Sequence, residues 1–220
     1  MTYTGNVKVG GPSDTRELDG LTVTKLAVGP MDNNAYLLRD TSTGEGLLID
    51  AANEPDRIIE MVGDTPITWL VTTHRHWDHW QALQDVHAAI GGVVVAQTED
   101  APELPIPVDD DLSDGDILRF GDAAVSVIHL RGHTPGSVAL RYDAEGRIAD
   151  APHLFTGDSL FPGGPGKTNS PQEFTSLMND LEERVFGRLP DATWVYPGHG
   201  ADTTLGAERP HLGEWRARGW

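Results

Sequence analysis

Thr73-His74-Arg75-His76-Trp77-Asp78-His79 places three imidazoles and a carboxylate within six positions, at the end of an apolar run over residues 67–73 (ITWLVTT). With only 9 histidines among 220 residues, chance is a poor explanation for that density. Neutral imidazole and carboxylate are ligands for zinc, iron or manganese, and a loop leaving a strand can fold so that several of them converge. The chain has no cysteine, which removes disulfides, thiolate zinc sites and cysteine nucleophiles together. Any metal must therefore be held by nitrogen and oxygen.

Three more candidate ligands follow, each beside glycine at the end of a predicted strand: Gly132-His133-Thr134-Pro135-Gly136, Gly157-Asp158-Ser159 and Pro197-Gly198-His199-Gly200. Glycine there lets the backbone turn sharply while the ligand stays at the strand's mouth. Alone, a His or Asp in such a turn is ordinarily a capping or hydrogen-bonding residue. Four such places in one chain point to a shared site.

The rest of the chain supplies the frame. Residues 1–20, rich in Gly, Thr, Ser and Asp, read as a flexible leader, and 21–220 as one domain. Short apolar, β-branched runs predict strands at 21–28, 35–40, 46–50, 67–73, 93–96, 123–130, 137–142 and 153–156. A helix is expected over 171–186, where Phe174, Leu177, Met178, Leu181 and Val185 share one face. Ser170 suits its N-cap, Pro171 its first position, and Glu173 completes a capping box. Further helices are expected at 54–62, 78–89 and 203–209. So many strands mixed with helices indicate a layered α/β architecture with two sheets.

Sixteen Lys plus Arg against 34 Asp plus Glu give 16 − 34 = −18, a charge that repels nucleic acid and anionic membranes. The N-terminus shows no targeting pattern, and no stretch reaches the roughly 18 apolar residues of a membrane helix. The expectation is a cytoplasmic protein acting on a small-molecule substrate, with no nucleic-acid or membrane partner and an open oligomeric state.

With these motifs in this order, the chain resembles the metallo-β-lactamase superfamily over about residues 21–210: H-x-H-x-D-H, then G-H-T-P-G, G-D and G-H. The wording GHTPGS, GDSLF and PGHGADTTLGAERP is most similar to the glyoxalase II-like group, thioester hydrolases of the hydroxyacylglutathione hydrolase type. The resemblance implies an αββα sandwich of two mixed sheets flanked by helices. It also implies a first metal on His74, His76 and His133, a second on Asp78, His79 and His199, and Asp158 bridging both. Asp78 and Asp158 are then the catalytic carboxylates. Zinc is the first choice for the two divalent ions, and iron or manganese also suits nitrogen and oxygen ligands. Two cations lower the pKa of a shared water toward neutrality, so the implied reaction is thioester hydrolysis by a metal-bridging hydroxide. The alternatives are a persulfide dioxygenase-like enzyme with one iron on His74, His133 and Asp158, a lactonase, a β-lactamase, or a non-catalytic metal-binding module. Losing ligands is the usual mark of the last, and all seven are present.

Some features depart from the pattern. Trp80-Gln81 stands where many relatives have two glycines, and Arg131 where proline is usual. Trp77 and Trp80 read as packing residues. Residues 163–168 (GGPGKT) invite a phosphate-loop reading that fails because Phe161 stands where its first glycine belongs. By position, Lys167 there is the candidate to meet a substrate carboxylate. His87, His129, His153 and His211 read as structural or surface residues, with His129 placed to hydrogen-bond a ligand. Only 21 residues follow His199, which leads to the expectation of an open site with modest preference for glutathione among thiol carriers.

Overall fold

The computed structural model describes residues 2–143 and 151–219. A seven-stranded sheet runs in sequence order from β1 (Asp14–Glu17) through β2 (Leu21–Val28), β3 (Asn33–Asp40), β4 (Gly46–Ile49), β5 (Ile67–Val71) and β6 (Val93–Gln97) to β7 (Asp110–Leu112). Its first four strands pair antiparallel. From β4 onward the pairing is parallel, because α1 (Pro55–Val62), then α2 (Leu83–Ile90), and before β7 a loop with a 3₁₀ turn at Ala101–Glu103 make the return crossovers.

The second large sheet has the order β15-β14-β11-β10-β9-β8, with β8 (Ile117–Phe120), β9 (Ala123–His129), β10 (Val138–Tyr142), β11 (His153–Gly157), β14 (Trp194–Pro197) and β15 (Thr203–Thr204). It is mixed too, since only β11 and β14 pair in parallel. A hairpin of β12 (Leu160–Phe161) and β13 (Gly164–Pro165) lies apart.

Alternation along the strands decides what lies between the sheets. Leu21, Val23, Tyr36, Leu38 and Ile49 of the first sheet meet Val125, Val127, Leu140, Phe155 and Tyr196 of the second in one buried cluster. The outer face of the first sheet buries Leu26, Leu37, Leu48 and Val94 with Ile58 and Val62 of α1 and Leu83 and Val86 of α2. The outer face of the second buries Ala139, Leu154 and Val195 under α3 (Pro171–Asp180) and Trp215 of α5 (Leu212–Arg218), to which the short α4 (Leu205–Glu208) leads. This is the expected αββα sandwich. Among the described residues, no helix is long and apolar enough to cross a membrane.

The elements differ from the sequence reading in places. Residues 14–17 of the expected leader form β1, and Thr4 and Gly5 bond to Asp14 through their backbone N–H groups. The helix expected over 171–186 is α-helical only to Asp180 and continues as a π-helix over Leu181–Phe186, with Gly187 N–H bonding to Glu182 C=O at 2.8 Å. Ser170 Oγ accepts from Glu173 N–H as expected, but the Glu173 carboxylate reaches back to Asn169 N–H. After Asp78 the chain makes one 3₁₀ turn (Trp77–His79) before α2 begins.

Candidate metal centre

All four segments that carry the candidate ligands leave the sandwich at the same edge. The loop after β5 carries His74, His76, Asp78 and His79, the loop after β9 carries His133, Asp158 directly follows β11, and His199 follows β14 after Gly198. The donor atoms gather into three overlapping groups, His74–His76–His133, His74–His79–Asp158 and Asp78–His79–His199, each with its atoms within 4.8 Å of one another. All seven residues singled out from the sequence thus come together.

Within the first group, His133 Nε2 lies 2.9 Å from His76 Nδ1 and 3.2 Å from His74 Nε2. In the last, His199 Nε2 lies 3.1 Å from His79 Nε2 and 3.3 Å from Asp78 Oδ2. Asp158 stands between the groups: Oδ1 is 3.3 Å from His79 Nε2, and Oδ2 is 3.3 Å from His199 Nε2 and 3.7 Å from His133 Nε2.

Whether such a set suits a cation is decided by the rings' other nitrogens. His133 Nδ1 lies 2.7 Å from the Lys167 carbonyl, and His199 Nδ1 lies 2.8 Å from the Met31 carbonyl. His79 Nδ1 lies 2.8 Å from Asp50 Oδ2. Those oxygens only accept, so each Nδ1 must carry a proton, and a neutral ring then turns the bare lone pair of Nε2 inward. Bare nitrogens about 3 Å apart repel unless a cation or a proton lies between them. Asp158 Oδ1, buried and without a hydrogen-bond partner, makes the same demand. The donor set fits divalent metal ions.

The electrostatics show what a proton does in the metal's place. Burial opposes charge on His79, but the Asp50 and Asp158 carboxylates outweigh it and push its pKa up to about 10. Burial likewise opposes charge on His199, where hydrogen bonds to Asp158 and Asp78 prevail and push it up to about 10. His74 is held well below the usual imidazole value by burial and by the charge of His79. Burial also lowers His133 and His76. For Asp158, burial favours the acid form, yet His79 and His199 hold the carboxyl well below the ordinary range.

Close approach explains two of the flanking glycines. A Cβ on Gly198 would fall 2.3 Å from Asp158 Oδ1 and 2.7 Å from His79 Cε1. One on Gly166 would fall 1.7 Å from the Asp158 carbonyl oxygen and 3.4 Å from His133 Nδ1.

Several supporting residues escaped the sequence reading. Asp50, at the end of β4 with φ 56°, accepts from Thr73 N–H and Thr73 Oγ1, both at 2.8 Å, as well as from His79. Asn33 Nδ2 donates to Asp78 Oδ2 at 2.9 Å. Asp100 accepts from Arg75 N–H, Gly136 N–H and Thr134 Oγ1, tying the loop of residues 73–79 to the His133 loop. The available signal was weak: a lone Asp after an apolar run, in 46–50 (GLLID), reads equally well as a turn.

The secondary expectations resolve individually. His129 bonds to the Pro135 carbonyl at 2.7 Å rather than to any of the seven residues. His153 is buried against the Tyr196 hydroxyl. Trp80 Nε1 donates to the Arg75 carbonyl and the ring packs against the α1 and α2 core, whereas Trp77 is 53% exposed. Arg131 grips Asp180 of α3 through its backbone N–H, Nε and Nη2. The exposed Lys167 lines a cavity of about 340 Å³ with Phe174 and Arg218, and its carbonyl faces His133.

The fold and this His/Asp cluster are those of a divalent-metal protein of one superfamily: the sequence model for the metallo-beta-lactamase superfamily matches residues 28–199, and the chain belongs to it. It is 33% identical to the hydroxyacylglutathione hydrolase of Fuscovulum blasticum over 76% of this chain and 62% of that protein. The chain thus spans less than two thirds of that relative's length. Among solved structures, the BLEG-1 B3 metallo-beta-lactamase superposes with TM-score 0.74 at 27% identity, covering 86% of this chain and 97% of that one. TTHA1623, solved in a di-iron-bound form, superposes with TM-score 0.67 at 31% identity over 84% of this chain and 96% of its own.

Proposed function

We propose that the chain is a dinuclear metal-dependent hydrolase that cleaves thioesters. The observation that carries this reading is the position of Asp158, whose two oxygens face nitrogen donors of both outer groups. His74, His76 and His133 would hold one divalent ion and Asp78, His79 and His199 the other, with Asp158 shared; zinc, iron and manganese all suit these ligands. When bound, the ions would supply Lewis acidity toward the carbonyl and acidify a water between them.

The chain's own residues account for the rest. Asp50, Lys167 and Met31 fix the tautomers of His79, His133 and His199, so that no ring must reorient during turnover. No cysteine is available as a nucleophile, and the Ser159 and Thr73 hydroxyls beside the site are buried. A thiolate is a good leaving group that needs little protonation, which suits a site whose acidic groups all face inward as ligands. Lys167, which lines the neighbouring cavity, would be the residue that meets a substrate carboxylate. The hydroxyacylglutathione hydrolase name of a relative points the same way.

The test is elemental analysis of protein purified without added metal, followed by kcat/KM on a panel of thioesters with a lactone and a β-lactam as controls. Two ions per chain and a preference for thioesters are expected. One iron in fully active protein, with His79→Ala and His199→Ala unimpaired, would replace this reading with sulfur oxidation on the remaining ligands.

A further inference from the structure

Lys25 of β2 has no exposed side-chain surface, yet all three of its ammonium protons are used. Nζ donates to the Gly5 carbonyl at 3.0 Å, to the Gly200 carbonyl at 2.7 Å and to Asp202 Oδ1 at 2.6 Å. Asp202, whose side chain is 3% exposed, accepts on its other oxygen from the Tyr3 hydroxyl at 2.7 Å and from Trp194 Nε1 at 2.9 Å. Gly5 lies so close over this carboxylate that a Cβ there would fall 2.4 Å from Asp202 Oδ2, and its φ of 68° favours glycine in any case. The segment is held from its other side as well, because Asp14 accepts from Thr4 and Gly5 N–H.

A buried ion pair is weak evidence for stability, since apolar residues of similar volume commonly serve as well. The three acceptors of Lys25 belong to two distant segments, Gly5 near the N-terminus and Gly200 with Asp202 in the loop after β14, so what the pair does specify is where these two meet on β2. One of the acceptors, Gly200, adjoins His199. Further bonds to that loop come from β3, where Asn34 Nδ2 donates to Pro197 C=O and Gly200 C=O, Asn34 N–H to Gly198 C=O, and Tyr36 Oη to Pro197 C=O, while Gly198 N–H donates to Gly157 C=O of β11. His74, His76 and His133, on other loops, share none of these contacts.

We propose that the Lys25–Asp202 pair, closed by Tyr3 and Gly5, is a positioning device for His199, so that the N-terminal segment sets metal affinity at the Asp78–His79–His199 group and not at the His74–His76–His133 group. The consequence for affinity rests on the dinuclear reading above, while the positioning itself can be read without metal.

Two variants test it, Tyr3→Phe and the charge-free double variant Lys25→Met with Asp202→Asn, the second removing both buried charges so that neither is stranded. In metal-free protein, amide exchange at Asn34, which bonds to Gly198, and the NMR signal of the His199 imidazole N–H, which bonds to Met31, report the loop directly. Both variants should speed that exchange and broaden that signal, leaving the His133 imidazole N–H unchanged. With cobalt(II), chelator competition should give at least a tenfold weaker dissociation constant for one ion, an unchanged one for the other, and an altered visible spectrum for the affected ion only. Unchanged Asn34 exchange and His199 signal would overturn the proposal whatever the metal data show. So would equal weakening of both ions, the mark of a general loss of stability. If the metal-free signals change as expected but wild-type protein binds a single ion, the positioning stands and the dinuclear reading falls.

Discussion

A histidine can offer a metal only the nitrogen that its other hydrogen bond leaves bare, so the residues behind the ligands matter nearly as much as the ligands. Asp50 does this for His79 while also fixing Thr73, whose backbone leads into His74. On the dinuclear proposal, Asp50→Ala should therefore weaken the ion at Asp78, His79 and His199 about 10–100-fold, the range found for supporting residues of metal sites. Chelator competition on the purified variant measures it, and an unchanged dissociation constant would remove Asp50 from this role. On the same proposal, Asp158→Ala should lose both ions, whereas His199→Ala should lose one, as read by elemental analysis after dialysis. The convergence of the seven His and Asp residues was legible in the sequence because each sits beside glycine or in one dense loop after an apolar run. Asp50, Asn33 and Lys25 were not, because their partners lie between 20 and 177 positions away along the chain and their own neighbours are unremarkable strand residues.

At the scale of elements, helix α3 carries none of the seven residues but holds one of them in place, since Arg131, two residues before His133, is clamped on Asp180 at its end. Its start rests on Ser170, and Ser170→Ala should cost about 1 kcal/mol in urea unfolding, with metal content unchanged. Gly198→Ala should reach the metal centre as well as the fold. The added methyl would collide with Asp158 and His79, so metal content should fall and the unfolding midpoint of metal-free protein with it; a fully loaded variant would show that the loop can yield. Periodicity foretold the apolar face of 171–186 but not its π-helical second half, because Leu181 and Val185 fall on the buried side in either winding. Strand β1 escaped for the opposite reason. Its four residues, DTRE, are polar throughout, and only pairing with β2 makes them a strand.

Across the whole molecule, the metal centre occupies one edge of the sandwich, and a second latch joins the two sheets at the other. There Asp40, ending β3, accepts from Asp122 N–H at 3.0 Å in the β8–β9 turn, and from Ser42 and Thr43 in its own turn. Glu45 accepts from Gly121 N–H of the same β8–β9 turn, and Trp69 Nε1 donates to the Arg119 carbonyl. Burial works against the charge on Asp40, but the bonds from Asp122, Thr43 and Ser42 outweigh it and hold the carboxyl well below the usual aspartate value. A group whose folded pKa is depressed binds its proton first in the unfolded chain, so stability rises with pH between the two values. The contribution of Asp40 is thus complete above an unfolded pKa of about 3.9 and is lost as the pH falls from there through the folded value. Asp40→Asn should lower the thermal midpoint of metal-free protein by a roughly constant amount from pH 7 down to about 5, at about 2–4 °C for each kcal/mol lost. Below about pH 4 the wild-type and variant curves should converge. Metal-free protein is the right material, because acid also protonates the histidines at the opposite edge and would otherwise mix metal release into the slope. A difference between the two proteins that stayed constant down to pH 2 would mean that Asp40 stabilises the latch through hydrogen bonds the asparagine cannot reproduce, and not through its charge.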